Sequence, residues 1–186
     1  VGKLRGGWNM EKSNSIKKVC GFYVSSIHLI TMLLPYLNKQ LEENIKVIPF
    51  LEFDLRKNIE TILSKIMLSQ KNKDNLLKMN WKNSKVQKFA NVENKIKNEM
   101  QNEKEAIILI SGSKKYIEMA NEMVEKYFSK YKGCKKYITI INCFEVGEFD
   151  DDIKEILDEH EYIINTAGVN KIEDVFETYK EKRLID

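Results

Sequence analysis

The stretch from Val19 to Phe53 constrains the fold more than any other. It reads VCGFYVSS, then IHLITMLLPYLNKQLEEN, then IKVIPFLEF. A short apolar run, a long amphipathic run and a second apolar run make one strand–helix–strand unit, and that unit sets the class as α/β. In the middle run Ile27, Ile30, Leu34, Leu37 and Leu41 recur at helical spacing and form one apolar stripe. Ser25 or Ser26 is placed to cap that helix through its hydroxyl. Pro35 has no N–H to give Thr31, so it kinks the helix, either as a tolerated defect or to shape the border of a pocket. The second strand, 46–53, alternates little and reads as buried on both faces. It ends in Glu52-Phe53-Asp54, which puts acids at the edge where ligands of open α/β sheets sit.

The rest of the chain repeats the pattern. A helix is expected over 55–68, a polar loop at SQKNKDN and a third strand over Leu76 to Trp81. The next helix, 84–102, carries Val86, Phe89, Val92, Ile96 and Met100 on one side, with a solvated Lys/Asn/Glu face opposite. AIILIS is the clearest strand. It breaks at Gly112-Ser113 into a helix bearing Ile117, Ala120, Val124, Phe128 and Tyr131, and Gly133 suits that helix's exit. KYITIINCF is a fifth strand, and the acidic loop EVGEFDDD opens a short helix buried through Ile153, Ile156 and Leu157. EYIIN is a sixth strand, and a last helix over 171–182 buries Ile172, Val175, Phe176 and Tyr179. The expected architecture is a three-layer, doubly wound, mostly parallel sheet of about six strands with helices on both faces, RecA/Rossmann-like, in a single domain over 19–186.

The beginning of the chain reads differently. Residues 11–18 are polar and expected to lie outside the fold. Arg-Gly-Gly-Trp-Asn-Met can be encoded by a purine-rich ribosome-binding sequence placed before a methionine codon, so 1–9 is expected to be translated leader and Met10 the start.

Composition excludes more than it selects. The formal charge is only +3, and arginine occurs only at Arg5, Arg56 and Arg183, leaving 28 of the 31 basic residues as lysine. Few planar guanidinium forks are present for phosphate or base contacts, so direct nucleic-acid binding is not expected. Lysine, asparagine and isoleucine all have A/T-rich codons, which points to an A/T-rich bacterial source. No apolar run has the length of a membrane span and no signal peptide opens the chain, so the expected location is cytoplasmic. Cys20, Cys134 and Cys143 form no CxxC pair and read as reduced thiols, with no metal expected.

Catalytic signatures are absent. A P-loop needs GxxxxGK[ST] so that backbone amides and a lysine grip phosphates, and the first strand ends instead in Ser25-Ser26. No GxGxxG occurs either, so no nucleotide or dinucleotide cofactor is expected. Ser111-Gly112-Ser113 sits where a strand meets a helix N-terminus, a place where free N–H groups attract anions. Thr166-Ala167-Gly168 is a weaker version of the same turn. His28 reads as a helix-boundary residue. His160 ends a helix, where the dipole favours a protonated imidazole. Tyr23, Trp81 and Phe144 fall on or at the ends of strands and read as core or as the lining of an apolar pocket.

Three stretches together resemble one family. CGFYVSSIHLITMLLPYLNKQLEENIKV is similar to an aromatic strand followed by a leucine-rich helix with an L-x-P-[FY]-L element. NCFEVGEF is similar to a strand end in which Phe144, Glu145 and Phe149 take aromatic, acidic and final phenylalanine positions. ILDEHEYII is similar to a helix–histidine–strand closing segment, with His160 on the histidine. In this order and spacing, over about 19–164, they resemble the MEDS domain, the methanogen/methylotroph sensory domain of DcmR-type regulators, a relative of RecA/KaiC-like proteins without a working P-loop. The chain departs from the family at Lys18, where a histidine is common, at Gln40, where a glycine is common, and at Asn142, where the strand cysteine falls. The early histidine's role is therefore not carried over.

The resemblance implies a sensory or regulatory module responding to small hydrocarbon-derived molecules. The expectation is a stand-alone, non-catalytic domain that binds a small, partly apolar ligand at the strand carboxyl ends and signals through a protein partner. Tyr23, Ser25, Glu52, Trp81, Ser111, Gly112, Ser113, Phe144, Glu145 and His160 are the expected lining. The alternatives are a protein-interaction or dimerisation module whose pocket is plugged by Trp81 and Phe144, and an enzyme using nucleotides or Glu145/His160 acid–base chemistry.

Overall fold

The computed structural model describes residues 14–178 except 132 and 134, with Asp150 described by its backbone alone. The expectations for 1–13, Cys134 and Tyr179 lie outside these residues.

Six strands form one sheet in the order β2-β3-β4-β1-β5-β6. They are β1 (Ser15–Tyr23), β2 (Lys46–Leu51), β3 (Glu105–Ser111), β4 (Tyr137–Glu145), β5 (Tyr162–Asn165) and β6 (Gly168–Lys171). The first five run parallel, and β6 returns antiparallel to β5. The helices are α1 (Ser26–Glu42), α2 (Arg56–Lys65), α3 (Gln70–Lys78), α4 (Phe89–Glu99), α5 (Lys114–Lys130), α6 (Val146–Phe149), α7 (Ile153–Glu159) and α8 (Ile172–Val175). The protein is thus the doubly wound α/β fold expected. Among the described residues no helix is long and apolar enough to cross a membrane.

The topology fixes where a site can form. The chain leaves β1, crosses β4 and β3 to reach the far edge at β2, then returns through β3 and β4 and passes β1 to β5. Crossovers of one hand that run in opposite directions place their helices on opposite faces. The two cores follow this rule. Helices α1, α2 and α3 cover Val19, Val47, Leu109 and Ile141, while α4, α5 and α7 cover Cys20, Ile48, Ile108 and Ile140. The adjacent strands β1 and β4 therefore send their chains to opposite faces, which makes their carboxyl ends the topological switch point.

Local chemistry sets the ends of α1. Ser25 is its N-cap, with its hydroxyl accepting the His28 N–H at 3.2 Å. His28 Nδ1 in turn accepts the Val24 N–H, so the histidine is a boundary residue that completes a reciprocal cap. At the other end Asn44 takes φ 60°, and its N–H reaches the Leu41 carbonyl while the Ile45 N–H reaches that of Gln40. That is a Schellman exit with asparagine in the left-handed position often taken by glycine, and Gln40 lies one turn earlier inside the helix. Pro35 lies on the exposed face of the unbroken helix, where the carbonyl it leaves without an N–H partner faces water. Ile27 departs from the expected stripe: it is 46% exposed, and Leu29, Ile30, Met32 and Leu33 make the buried face with Leu34 and Leu37.

Edge strand β2 is closed by its neighbours. Pro49 has no N–H to offer, its carbonyl accepts from Lys95 Nζ, and the Leu51 carbonyl accepts the Ser84 N–H at 2.7 Å. Proline and lysine on a free edge discourage pairing with a foreign strand. Burial pulls the Lys95 ammonium down to about 8.

Four expectations are corrected. Leu76 to Trp81 is not a strand: SQKNKDN and the following leucines form α3, capped by Ser69, whose hydroxyl accepts the Asn72 N–H. A six-residue apolar run fits a helix end as well as a strand. The sixth strand is instead β6, which begins at Gly168 with φ +109°. Strand β1 begins at Ser15, because its polar residues pair with β4 from Tyr137 onward. The helix expected over 84–102 is shortened to α4, since 79–88 is spent carrying the chain around the β2 edge. Of the last helix, α8 covers only Ile172–Val175, and Val175 and Phe176 are partly exposed instead of buried.

Candidate ligand-binding site

The expected site residues separate into four groups. The first is buried at the switch point. Tyr23 and Ser111 come together from β1 and β3 across β4, with the Ser111 hydroxyl 3.1 Å from the Tyr23 phenol and 3.3 Å from the Cys143 carbonyl. Burial pushes the Tyr23 phenol up to about 12, and the nearby Glu145 and Glu148 add to it. Glu145 stands beside Tyr23 in the β1–β4 register. Burial also pushes the Cys20 thiol up to about 12 and the Cys143 thiol higher still, so both stay protonated and unreactive.

The second group sits at the ends of β2 and β3. Glu52 Oε2 accepts the Ser113 N–H at the start of α5. The carboxylate of this protein therefore occupies the anion position that Ser111-Gly112-Ser113 offers. Gly112 is required for the approach, since a Cβ there would lie 2.7 Å from both Cβ and Oε2 of Glu52.

The third group is structural. Ser25 caps α1. Trp81 is 2% exposed on the α1–α3 face, with its indole N–H donating to the Leu76 carbonyl at 2.7 Å. It fills the core between these helices and does not reach the switch point.

The fourth group opens a cavity. Phe144 and His160 line a groove of about 430 Å³ between α5 and the α6–α7 segment, over β4 and β1. Asn142 and Phe144 of β4 form its floor with Lys18 of β1. Ile117 and Asn121 come from α5, and Phe149 and Ile156 from the other wall. Phe144 meets Phe149 edge-on at 5.0 Å between ring centres and His160 edge-on at 6.1 Å. Glu145 does not line this groove, so the expected Glu145–His160 pair is not brought together in it.

Its floor carries a connected polar relay in which Asn121 and Asn142, absent from the expected residues, join the expected His160. Asn121 Nδ2 donates to Asn142 Oδ1 at 2.9 Å, and Asn142 Nδ2 returns a bond to Asn121 Oδ1 at 3.3 Å. The second Asn121 N–H goes to the Ile117 carbonyl at 2.9 Å. His160 Nδ1 lies 2.7 Å from the Ile156 carbonyl and must donate to it, which leaves Nε2 to accept from Asn142 Nδ2 at 3.4 Å. All four amide N–H groups are thus committed. The sequence signal was Asn142, an amide inside the apolar run YITIINCF: a buried amide needs partners, and they come from facing helices.

The relay holds His160 neutral, against the protonated form expected at a helix end. Burial lowers its pKa from the usual 6.5, outweighing the Ile156 hydrogen bond; Lys18 lowers it further and Glu159 opposes. The unfolded chain then takes up a proton more readily than the folded chain as pH falls through about 6.5, so this contribution to stability is full above that pH and declines below it. Urea unfolding between pH 7.5 and 5 is expected to show stability falling on the acid side, at a slope from this residue below the one-proton limit of about 1.4 kcal/mol per pH unit. The component should vanish in His160→Gln; an unchanged slope would mean His160 is solvated.

No known protein-family model matches the chain, and no curated protein matches it.

Proposed function

We propose that the chain is a sensory or regulatory module that takes a small, partly apolar ligand in the α5/α7 groove and signals through a protein partner. The observation that carries this reading is the groove itself: about 430 Å³ beside the switch point, with an aromatic wall and a floor of fixed amides and a neutral imidazole. Concave, mostly apolar sites with a few placed polar groups are the usual form of small-molecule sites. The resemblance to the MEDS domain supports the same reading, because its second and third motifs supply Phe144, Phe149 and His160, all on the groove. No phosphate role is included. Glu52 already holds the α5 N-terminus, and the first strand–helix turn is a serine cap.

One observation favours the interaction module. Val24 is 66% and Ile27 46% exposed at the β1–α1 turn, an apolar step on the surface that a partner could cover. The two readings are compatible if the partner docks beside the groove.

Native mass spectrometry of the purified chain is the test. A retained small mass that is released on denaturation, and missing in Glu118→Trp, is the expected result, since Glu118 is an exposed α5 residue on the groove. A mass retained equally in that variant would place the ligand elsewhere. An empty dimer in both would move the weight to the interaction module.

A further inference from the structure

A second cavity, of about 500 Å³, lies between α4 and the last turns of α5 and shares no residue with the α5/α7 groove. Tyr127 on its wall is 8% exposed, and among the described residues its phenol oxygen makes no hydrogen bond. A tyrosine buried this deeply ordinarily finds a partner for its hydroxyl. The groups that act electrostatically on the oxygen, Tyr131, Lys97 and Glu93, all line the same cavity. Protein does not wall the oxygen in, so it opens onto this space. Burial, and then Tyr131, push the phenol up against the pull of Lys97, so it stays protonated and donates. Tyr131 beside it is half-buried, and its hydroxyl also makes no hydrogen bond among the described residues.

The charge around these phenols is positive. Glu93 is already neutralised by Lys97 at 2.9 Å. Lys130 has no carboxylate partner among the described residues; its ammonium lies 5.6 Å from the centre of the Phe89 ring, where Lys126 joins it at 5.0 Å. Lys136 is 7% exposed, and its ammonium donates to the Met100 and Glu103 carbonyls with no described carboxylate beside it. A buried ammonium without a counter-ion leaves a field that favours an anion.

We propose that this cavity binds a small organic carboxylate with an apolar body, its oxygens taken by the Tyr127 hydroxyl and the Lys130 ammonium. The site is separate from the α5/α7 groove and does not depend on that reading. A carboxylate only accepts hydrogen bonds, and the unspent polar groups named here are donors. Its body lies on the half-buried Phe89 and Tyr131 rings, which leave surface to the cavity. A cation would meet the lysines, and a neutral amide would gain the phenol without the charge.

Phenylacetate, neutral phenylacetamide and cationic phenethylamine have similar shape and different charge. Titrated into the ¹⁵N-labelled full chain, phenylacetate is expected to shift the side-chain amides of Asn98 and Gln101, which line the cavity, and not those of Asn121 and Asn142. Phenylacetamide should bind roughly tenfold more weakly, and phenethylamine more weakly again. Tyr127→Phe keeps the ring and removes only the hydroxyl. It should cut phenylacetate affinity roughly tenfold and leave the urea midpoint unchanged, because that hydroxyl has no protein partner to lose. Lys130→Gln should weaken phenylacetate and leave phenylacetamide as it was, and added salt should do the same. If phenylacetamide or phenethylamine matches phenylacetate, or Tyr127→Phe binds phenylacetate as well as the parent, the proposal is overturned. No shift at Asn98 and Gln101 overturns it too, and leaves the α5/α7 groove to be judged by the retained mass and its loss in Glu118→Trp.

Discussion

Replacing Trp81 by alanine is expected to destabilise the protein by about 3–5 kcal/mol, the range for truncating a buried aromatic side chain. The residue is 2% exposed and sits among Leu55, Ile59 and Leu76, where α2, α3 and the chain leaving them meet α1. Its backbone is fixed as well: the Leu55 N–H donates to the Trp81 carbonyl at 2.9 Å, and the Trp81 N–H to the Met79 carbonyl at 3.1 Å. The indole N–H closes the arrangement by reaching the Leu76 carbonyl in the last turn of α3. Two terms are therefore lost in the alanine variant, the apolar burial and one of the two hydrogen bonds to the Leu76 carbonyl. Trp81→Phe separates them. It restores most of the burial and removes the indole hydrogen bond, while the Leu76 carbonyl keeps the Met79 N–H at 3.3 Å, for a cost of about 0.5–1.5 kcal/mol. Urea unfolding measures both. A Trp81→Ala chain within about 1 kcal/mol of the parent would show that the site relaxes and that Trp81 is no plug.

The same residue shows how far the sequence could be read. Strands β1 to β4 are legible because parallel strands buried on both faces appear as continuous apolar runs, and VCGFY, VIPFL, AIILIS and YITIINCF are such runs. LLKMNW is equally short and largely apolar, so it reads as a strand that ends at Trp81. Its burial comes from tertiary contact with α1, which no local pattern records. The site divides along the same line. Tyr23 and Ser111 could be placed at strand ends, and they do meet, because strand ends in a parallel sheet converge by topology. The α5/α7 groove was legible only in Phe144 and His160. Asn121 and Asn142 lie 21 residues apart, and their pairing depends on where α5 crosses β4. Likewise Glu52 and Ser113 are each polar residues at a turn in sequence, and only the adjacency of β2 and β3 reveals that one neutralises the helix end of the other.

That last contact sets the second large expected effect. Gly112→Val should cost about 1–3 kcal/mol from overpacking, with the loss of a helix-end carboxylate added to it. The new Cβ would lie 2.7 Å from Glu52 Cβ, a backbone-tethered atom that cannot swing away, and 2.8 Å from the Tyr116 ring. Tyr116 is itself held, its hydroxyl donating to the Ser84 carbonyl at 2.7 Å, so neither neighbour can retreat without breaking the cover over the β2 edge. Glu52→Gln tests the electrostatic part alone. Its amide keeps an oxygen for the Ser113 N–H but loses the charge that complements the α5 dipole, for an expected loss of about 0.3–1 kcal/mol. If the carboxylate is what closes this turn to anions, the glutamine chain should gain stability from added inorganic phosphate that the parent does not. Equal phosphate response in both chains would mean that the α5 N-terminus is closed by shape, with Glu52 incidental. In either case the parent turn is filled by its own side chain, and this is the physical reason that an anion-binding pattern in the sequence, Ser111-Gly112-Ser113, does not form an open anion site.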